Sequence, residues 1–222
     1  MIIWFIIFFA ILSISLVLAY LSMRDYQEIP KLEKEYGIFL VRRTEFFTIQ
    51  TLETILDLCK GKILSFERLF KGNSRAFVIF GPKKILQGRF SEILGLLELE
   101  DYTKVPGEAV AWEVEKRDVG FGESNIFNSL PYLKDDEQFF WQLVTNGNQG
   151  QIKAVFISQN SVRKKTLTPQ LETIGEKYLK KVPRPHTYSQ IFEDYRQRIF
   201  VPSLAFKLKT DEILKITGLP HK

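Results

Sequence analysis

The chain is short of the side chains that most catalytic chemistry needs: its 222 residues include one cysteine and two histidines. A lone thiol, Cys59, excludes an internal disulfide, and zinc sites built from paired Cys and His have nothing to draw on. Cys59 falls on the apolar stripe of a predicted helix and reads as a packed core thiol rather than a nucleophile. His186 stands between prolines in a turn and His221 is next to the last residue, so both read as solvated histidines. Low-complexity tracts and solenoid-length repeats are missing as well. So is a phosphate-binding loop: Gly81-Pro82-Lys83-Lys84 lacks the earlier glycine and the Lys-Ser/Thr pair, and Gly120-Phe121-Gly122 has Asn125 where a dinucleotide fingerprint needs glycine. These absences predict no catalytic residue, no cofactor and no metal, hence a protein that is not an enzyme. Glu98-Leu99-Glu100-Asp101 and Asp135-Asp136-Glu137 carry oxygen ligands of the kind Mg²⁺ takes, but they lie at element ends and read as solvated connections.

Charge is missing altogether from Met1 to Met23, a run of Ile, Phe, Leu, Val, Ala and Ser that ends at Arg24-Asp25. At about 1.5 Å per residue such a run matches the roughly 30 Å hydrocarbon core of a bilayer, so the expectation is a transmembrane helix over residues 1–23. A cleaved signal peptide fits less well, because its apolar core is shorter and follows a basic start. Arg24, Lys31, Lys34, Arg42 and Arg43 follow the span and none precedes it, which places the C-terminal part in the cytoplasm of a single-pass inner-membrane or cell-membrane protein.

The rest of the chain is predicted as α+β, with residues 24–36 as a juxtamembrane linker. Ile38-Phe39-Leu40-Val41 suits a buried strand. Leu52, Ile55, Leu56 and Cys59 recur at helical spacing, with Gly61 placed to end the helix. Lys62 to Phe70 and Arg75 to Phe80 flank Lys71-Gly72-Asn73-Ser74 as a hairpin. Gly81-Pro82 opens a helix through Leu97, and a further strand at Tyr102 to Val105, or at Ala109 to Lys116, would complete a ferredoxin-like, split βαβ unit over residues 37–108. Residues 109–183 repeat the order: a strand at Ala109 to Glu115, a short helix at Ile126 to Leu133, a hairpin of Gln138 to Thr145 with Gln151 to Ser158, and a helix from Thr168-Pro169 to Lys181. A helical extension over 184–222 contains a helix capped at Thr187 and another between Thr210 and Gly218.

The formal charge of +5 is modest and mixed with acidic residues, so it carries no nucleic-acid assignment alone. The candidate phosphate or lipid contacts are Lys83, Lys84 and Arg89, then Arg163, Lys164 and Lys165, then Lys180 and Lys181. Aromatic side chains on an antiparallel sheet can stack bases, but Phe66, Phe77, Phe80, Phe139, Phe140 and Trp141 lie in nearly continuous apolar runs and are expected to be buried.

Three segments carry a resemblance: Lys62-Ile63-Leu64-Ser65-Phe66-Glu67 before the hairpin, Asp136-Glu137-Gln138-Phe139-Phe140-Trp141-Gln142-Leu143, and Leu208-Lys209-Thr210-Asp211-Glu212-Ile213-Leu214 followed by Gly218-Leu219-Pro220. With the apolar start, they resemble the amino-terminal, ATPase-free region of membrane-anchored type IV secretion or conjugation ATPases of the HerA/FtsK-like class from small-genome bacteria. In that family the motor follows, whereas this sequence stops at Lys222. The resemblance implies a stand-alone accessory subunit, the first half of a split gene or a truncated piece, with no ATPase activity to carry over. The expected function is a non-enzymatic, membrane-anchored docking or assembly subunit of a secretion or DNA-transfer machine, partnered by a secretion-type ATPase. The alternative is a membrane-tethered nucleic-acid-binding protein using the lysine and arginine clusters.

Overall fold

The computed structural model describes residues 2–24, 35–104, 108–122, 125–183 and 187–219. The expected linker falls mostly outside them, as do His186 and His221.

Helix α1 forms over Ile2–Arg24. The expectation that it spans a membrane is corrected, because among the described residues no helix is long and apolar enough to cross one. The transmembrane, single-pass and inner-membrane or cell-membrane assignments fall with it.

The remainder is built on one antiparallel sheet. Its strands are β1 (Tyr36–Leu40), β2 (Leu64–Lys71), β3 (Ser74–Pro82), β4 (Leu97–Leu99), β5 (Glu108–Lys116), β6 (Gln138–Thr145), β7 (Gln149–Ser158), β8 (Leu179–Lys181) and β9 (Phe206–Lys207). They lie in the order β4-β1-β3-β2-β6-β7-β5-β8, with β9 paired to the start of β7. The order within each half is that of a split βαβ motif, but the expected pair of tandem ferredoxin-like units is corrected to a single nine-stranded sheet. The joint is the pairing of β2 with β6 from Leu64↔Thr145 to Lys71↔Gln138. Each half would otherwise end in a long apolar edge with unpaired backbone groups, and pairing the two edges satisfies both.

Local chemistry explains most element bounds. Helix α2 (Ile49–Leu58) starts where the Thr48 hydroxyl accepts the Thr51 N–H at 3.3 Å, and it buries Leu52 and Ile55. The β2–β3 turn uses Gly72 at φ 52°, a conformation that costs a Cβ-bearing residue. After β3 the chain runs through α3 (Lys83–Ile85), a wide turn at Leu86–Phe90 and α4 (Ser91–Leu94). Gly95 at φ 60° stops that helical stretch, so Leu97 begins β4 instead of ending a helix. The fourth strand of the first half is therefore Leu97–Leu99, paired with β1, rather than Tyr102 to Val105 or Ala109 to Lys116.

The second half differs from expectation at one helix. Helix α5 covers Ser161–Glu172, not Thr168 to Lys181, because the Asn160 side chain accepts the N–H groups of Val162 and Arg163 at 3.0 Å. Pro169 sits inside α5, and Leu179–Lys181 is strand β8. Between β5 and β6 the described residues make a single 3-10 turn at Ile126–Ser129 where a short helix to Leu133 was expected.

One face of the sheet, called inner here, carries Phe39, Phe66, Phe77, Trp112, Phe139, Trp141 and Ile152 in the main core with side chains of α2, α4 and α5. All six aromatic residues expected in buried strands are buried. The C-terminal region wraps the sheet. Helix α6 (Tyr188–Arg196), capped by Thr187, lies on the outer face. The chain then passes β9, and α7 (Thr210–Ile216) returns to the inner core with Ile213, Leu214 and Ile216. The first residue outside α7 is Lys209 rather than Thr210, and Gly218 follows the helix at φ 63°.

A buried charged ladder as the candidate functional site

Strands β2, β6, β7 and β5 each place a polar residue near their middle on the outer face: Glu67, Gln142, Lys153 and Glu113. Strand register puts them directly opposite one another, Glu67↔Gln142, Gln142↔Lys153 and Lys153↔Glu113. They form a straight row on the outer face that crosses the joint between the halves. The next row on the same face is apolar, with Leu69, Phe140, Val155 and Ala111 in register, and it packs against Ile191 and Tyr195 of α6. Helix α6 and the turn after it cover the ladder, so Glu67, Gln142, Lys153 and Arg198 are all fully buried.

Burying charge is costly unless each ion is paired and hydrogen-bonded. Glu67 Oε1 accepts from Ser65 Oγ at 2.7 Å, Gln142 Nε2 at 3.1 Å and Arg198 Nε at 3.1 Å. Arg198 comes from the turn after α6 at φ 53°, donates from Nη1 to the Arg196 carbonyl at 2.6 Å, and lies 5.0 Å from the Phe80 ring centre and 5.7 Å from that of Tyr102. Lys153 Nζ donates to the backbone carbonyls of Ile199 and Asp194. Gln151 holds the far end, donating to Glu113 Oε1 at 2.8 Å and accepting the Val201 N–H at 3.1 Å.

Electrostatics follow from this burial. Desolvation pulls Lys153 down to about 8, and nearby Asp194 and Glu113 offset part of that fall. Burial raises the Tyr195 phenol well above its ordinary value, with Glu67 adding to the rise and Arg198 opposing it. The Tyr195 hydroxyl is paired with that of Tyr102 at 3.0 Å. With its members covered, the ladder fastens backbone carbonyls and helix ends and offers no side chain to a dissolved substrate. No protein-family model matches the chain. No curated protein matches it either.

The cations singled out from sequence are scattered. Lys83 pairs with Glu98 at 2.5 Å, beside the β4 edge. Lys180 pairs with Glu115 at 2.6 Å and Lys181 with Glu172 at 2.5 Å, on the β8 edge. At about 4.8 Å per strand those edges stand roughly 30 Å apart. Arg163 holds Glu137 through two bonds, Nε–Oε1 at 2.8 Å and Nη2–Oε2 at 2.7 Å, and this holds the Glu137 carboxyl below its ordinary range. Lys164 pairs with exposed Glu108. Lys84, Arg89 and Lys165 are exposed and make no ion pair among the described residues.

The acidic runs do structural work. Glu98 serves Lys83 and Gln87, Asp101 accepts the Thr103 N–H, and Glu137 accepts the Lys134 N–H. Among the described residues no group of three His, Cys, Asp or Glu side chains is placed to hold a metal ion. Cys59 is buried in the main core, and desolvation lifts its thiol to about 11.

Sequence reading missed the ladder. Its trace is a single polar residue flanked by apolar ones in three strands, Trp141-Gln142-Leu143, Ile152-Lys153-Ala154 and Trp112-Glu113-Val114, whereas in β2 Glu67 stands beside Arg68 and carries no such signal.

Proposed function

We propose that this protein is a non-enzymatic docking or assembly subunit, of the secretion or DNA-transfer kind that the sequence resemblance implies, and that its partner is a secretion-type ATPase. One observation carries the docking reading. On α1, Phe8, Phe9, Ile11, Ile14, Leu16 and Leu18 are 58–62% exposed, and none belongs to the three apolar clusters of the sheet. Contiguous exposed apolar surface of this kind marks an interaction site, here for an apolar face on the partner protein. The inward fastening of the ladder and the ion pairing of five of the eight candidate cations support a binding role over a catalytic one.

Affinity capture of the tagged full chain after in-cell cross-linking tests the reading. The expected result is co-recovery of an ATPase carrying a motor domain, and its loss with Phe9→Lys and Leu16→Lys together. Recovery of the chain without an ATPase or any secretion component refutes it. Nucleic-acid binding is the weaker reading, since the clusters lie at opposite sheet edges and mostly face carboxylates. Salt-dependent binding to duplex DNA with a steep negative slope would favour it instead.

A further inference from the structure

The outer cover is held differently from the inner one. Among the described residues the inner core has thirty-five buried side chains, whereas the outer cluster under α6 has six: Ala111, Phe140, Val155, Ile157, Ile191 and Tyr195. The last two belong to the cover, with Phe192 packed beside them and Phe200 of the same segment fully buried. Much of the rest of its hold is polar, through Arg198 onto Glu67, Gln142 onto the Tyr195 carbonyl, Lys153 onto the carbonyls of Asp194 and Ile199, and Gln151 onto the Val201 N–H.

That polar hold is incomplete. Glu67 Oε2, Gln142 Oε1 and Arg198 Nη2 are buried with no hydrogen-bond partner among the described protein groups, so closing the cover takes three polar groups out of bulk water without a protein partner for them. Arg198 also adopts a left-handed backbone conformation that a side chain disfavours. All of these costs vanish when the cover lifts, and the ladder residues are then hydrated. The nine residues of α6 are too few for a stable helix in water, so a lifted cover also loses its internal amide bonds.

We infer that residues 187–201 form a releasable strap: the segment opens as one unit while the nine-stranded sheet and its inner core stay folded. Opening uncovers the row Glu67, Gln142, Lys153 and Glu113 across the joint between the halves. The strap thereby gates a polar face carrying two carboxylates and one ammonium that is otherwise sealed. This inference stands on the outer face alone and does not depend on the docking role of α1.

Hydrogen–deuterium exchange of the full chain, read by mass spectrometry peptide by peptide at neutral pH, tests it. Amides of 188–201 should exchange at least about tenfold faster than those of β2, β6 and β7, which report only global unfolding. Leu52→Ala, in the inner core, should speed exchange of β2 and β6 and leave that of the strap unchanged, because the core stays folded when the strap opens. Strap amides exchanging at the same rate as those of β2 and β6 in the unaltered protein would overturn the inference, as would a Leu52→Ala chain whose strap amides speed up as much as those of β2 and β6. Should the variant fail to fold, the unaltered protein decides alone.

Discussion

Replacing Lys153 by methionine isolates the effect of one buried charge on stability. Lys153 has no exposed surface, and its ammonium faces the carbonyls of Asp194 and Ile199, with the Asp194 carboxylate from α6 and Glu113 from β5 nearby and Gln142 beside it in the row. Burial is the largest influence and lowers its pKa from 10.5 to about 8. Between those values the unfolded chain binds more protons at Lys153 than the folded one, so the unfolding free energy rises with pH through that window. Integrated from pH 7 to 9.5, the gain is about 2 kcal/mol for this one group. Other residues titrate too, and Tyr195 opposes the trend above pH 10, because its raised pKa is stability lost as the phenol ionises in the unfolded chain. Subtracting the Lys153→Met curve removes those contributions. Urea unfolding followed by fluorescence of the buried Trp112 and Trp141 measures both proteins. The unaltered protein should gain about 2 kcal/mol on the variant between pH 7 and 9.5. A difference that stays flat across that range, or that falls, refutes the account of Lys153 as a desolvated cation.

Glu67→Leu leaves Arg198 buried without its carboxylate and should cost about 3–5 kcal/mol, whereas Glu67→Leu with Arg198→Met removes both charges and should restore most of that loss; urea midpoints distinguish the two. Gly218→Ala places a Cβ 2.6 Å from Phe127 Cδ2 at a φ of 63°, so the melting temperature should drop, by the equivalent of about 1–3 kcal/mol. Cys59, whose thiol burial raises to about 11, should resist an aromatic disulfide reagent at pH 8 in the folded protein and react within minutes in urea; rapid reaction without denaturant would contradict its core position.

Several elements were legible because their determinants are local. The apolar spacing of Leu52 and Ile55 and the cap at Thr48 make α2 whatever surrounds it, and Gly72 sets the β2–β3 turn within four residues. Thr187 and Gly218 punctuate their helices in the same local way. The bounds that shifted had two local signals in competition. Asn160 and Thr168 both suit an N-cap, and the earlier one won because Leu167 and Leu171 then point into the core. At Leu97 the glycine two residues earlier ended the helix, and pairing with β1 claimed what followed. The candidate cations were easy to find in sequence, but the neutralisation of five of them by Glu98, Glu108, Glu115, Glu137 and Glu172 depends on chain segments as distant as Lys180 is from Glu115.

The sequence alone determined the scarcity of Cys and His, the alternation of strands with turns, and the apolar runs that make both faces of the central strands buried. Those properties belong to single residues and short windows, where side-chain size, charge and φ preference act directly. Tertiary structure decided that β2 and β6 fuse two half-sheets into one, and that four isolated polar residues meet in a row. It also decided that Arg198, 131 residues from Glu67 along the chain, closes over them. Strand register converts position in sequence into neighbourhood in space, and a buried charge becomes tolerable only where that register supplies its partner.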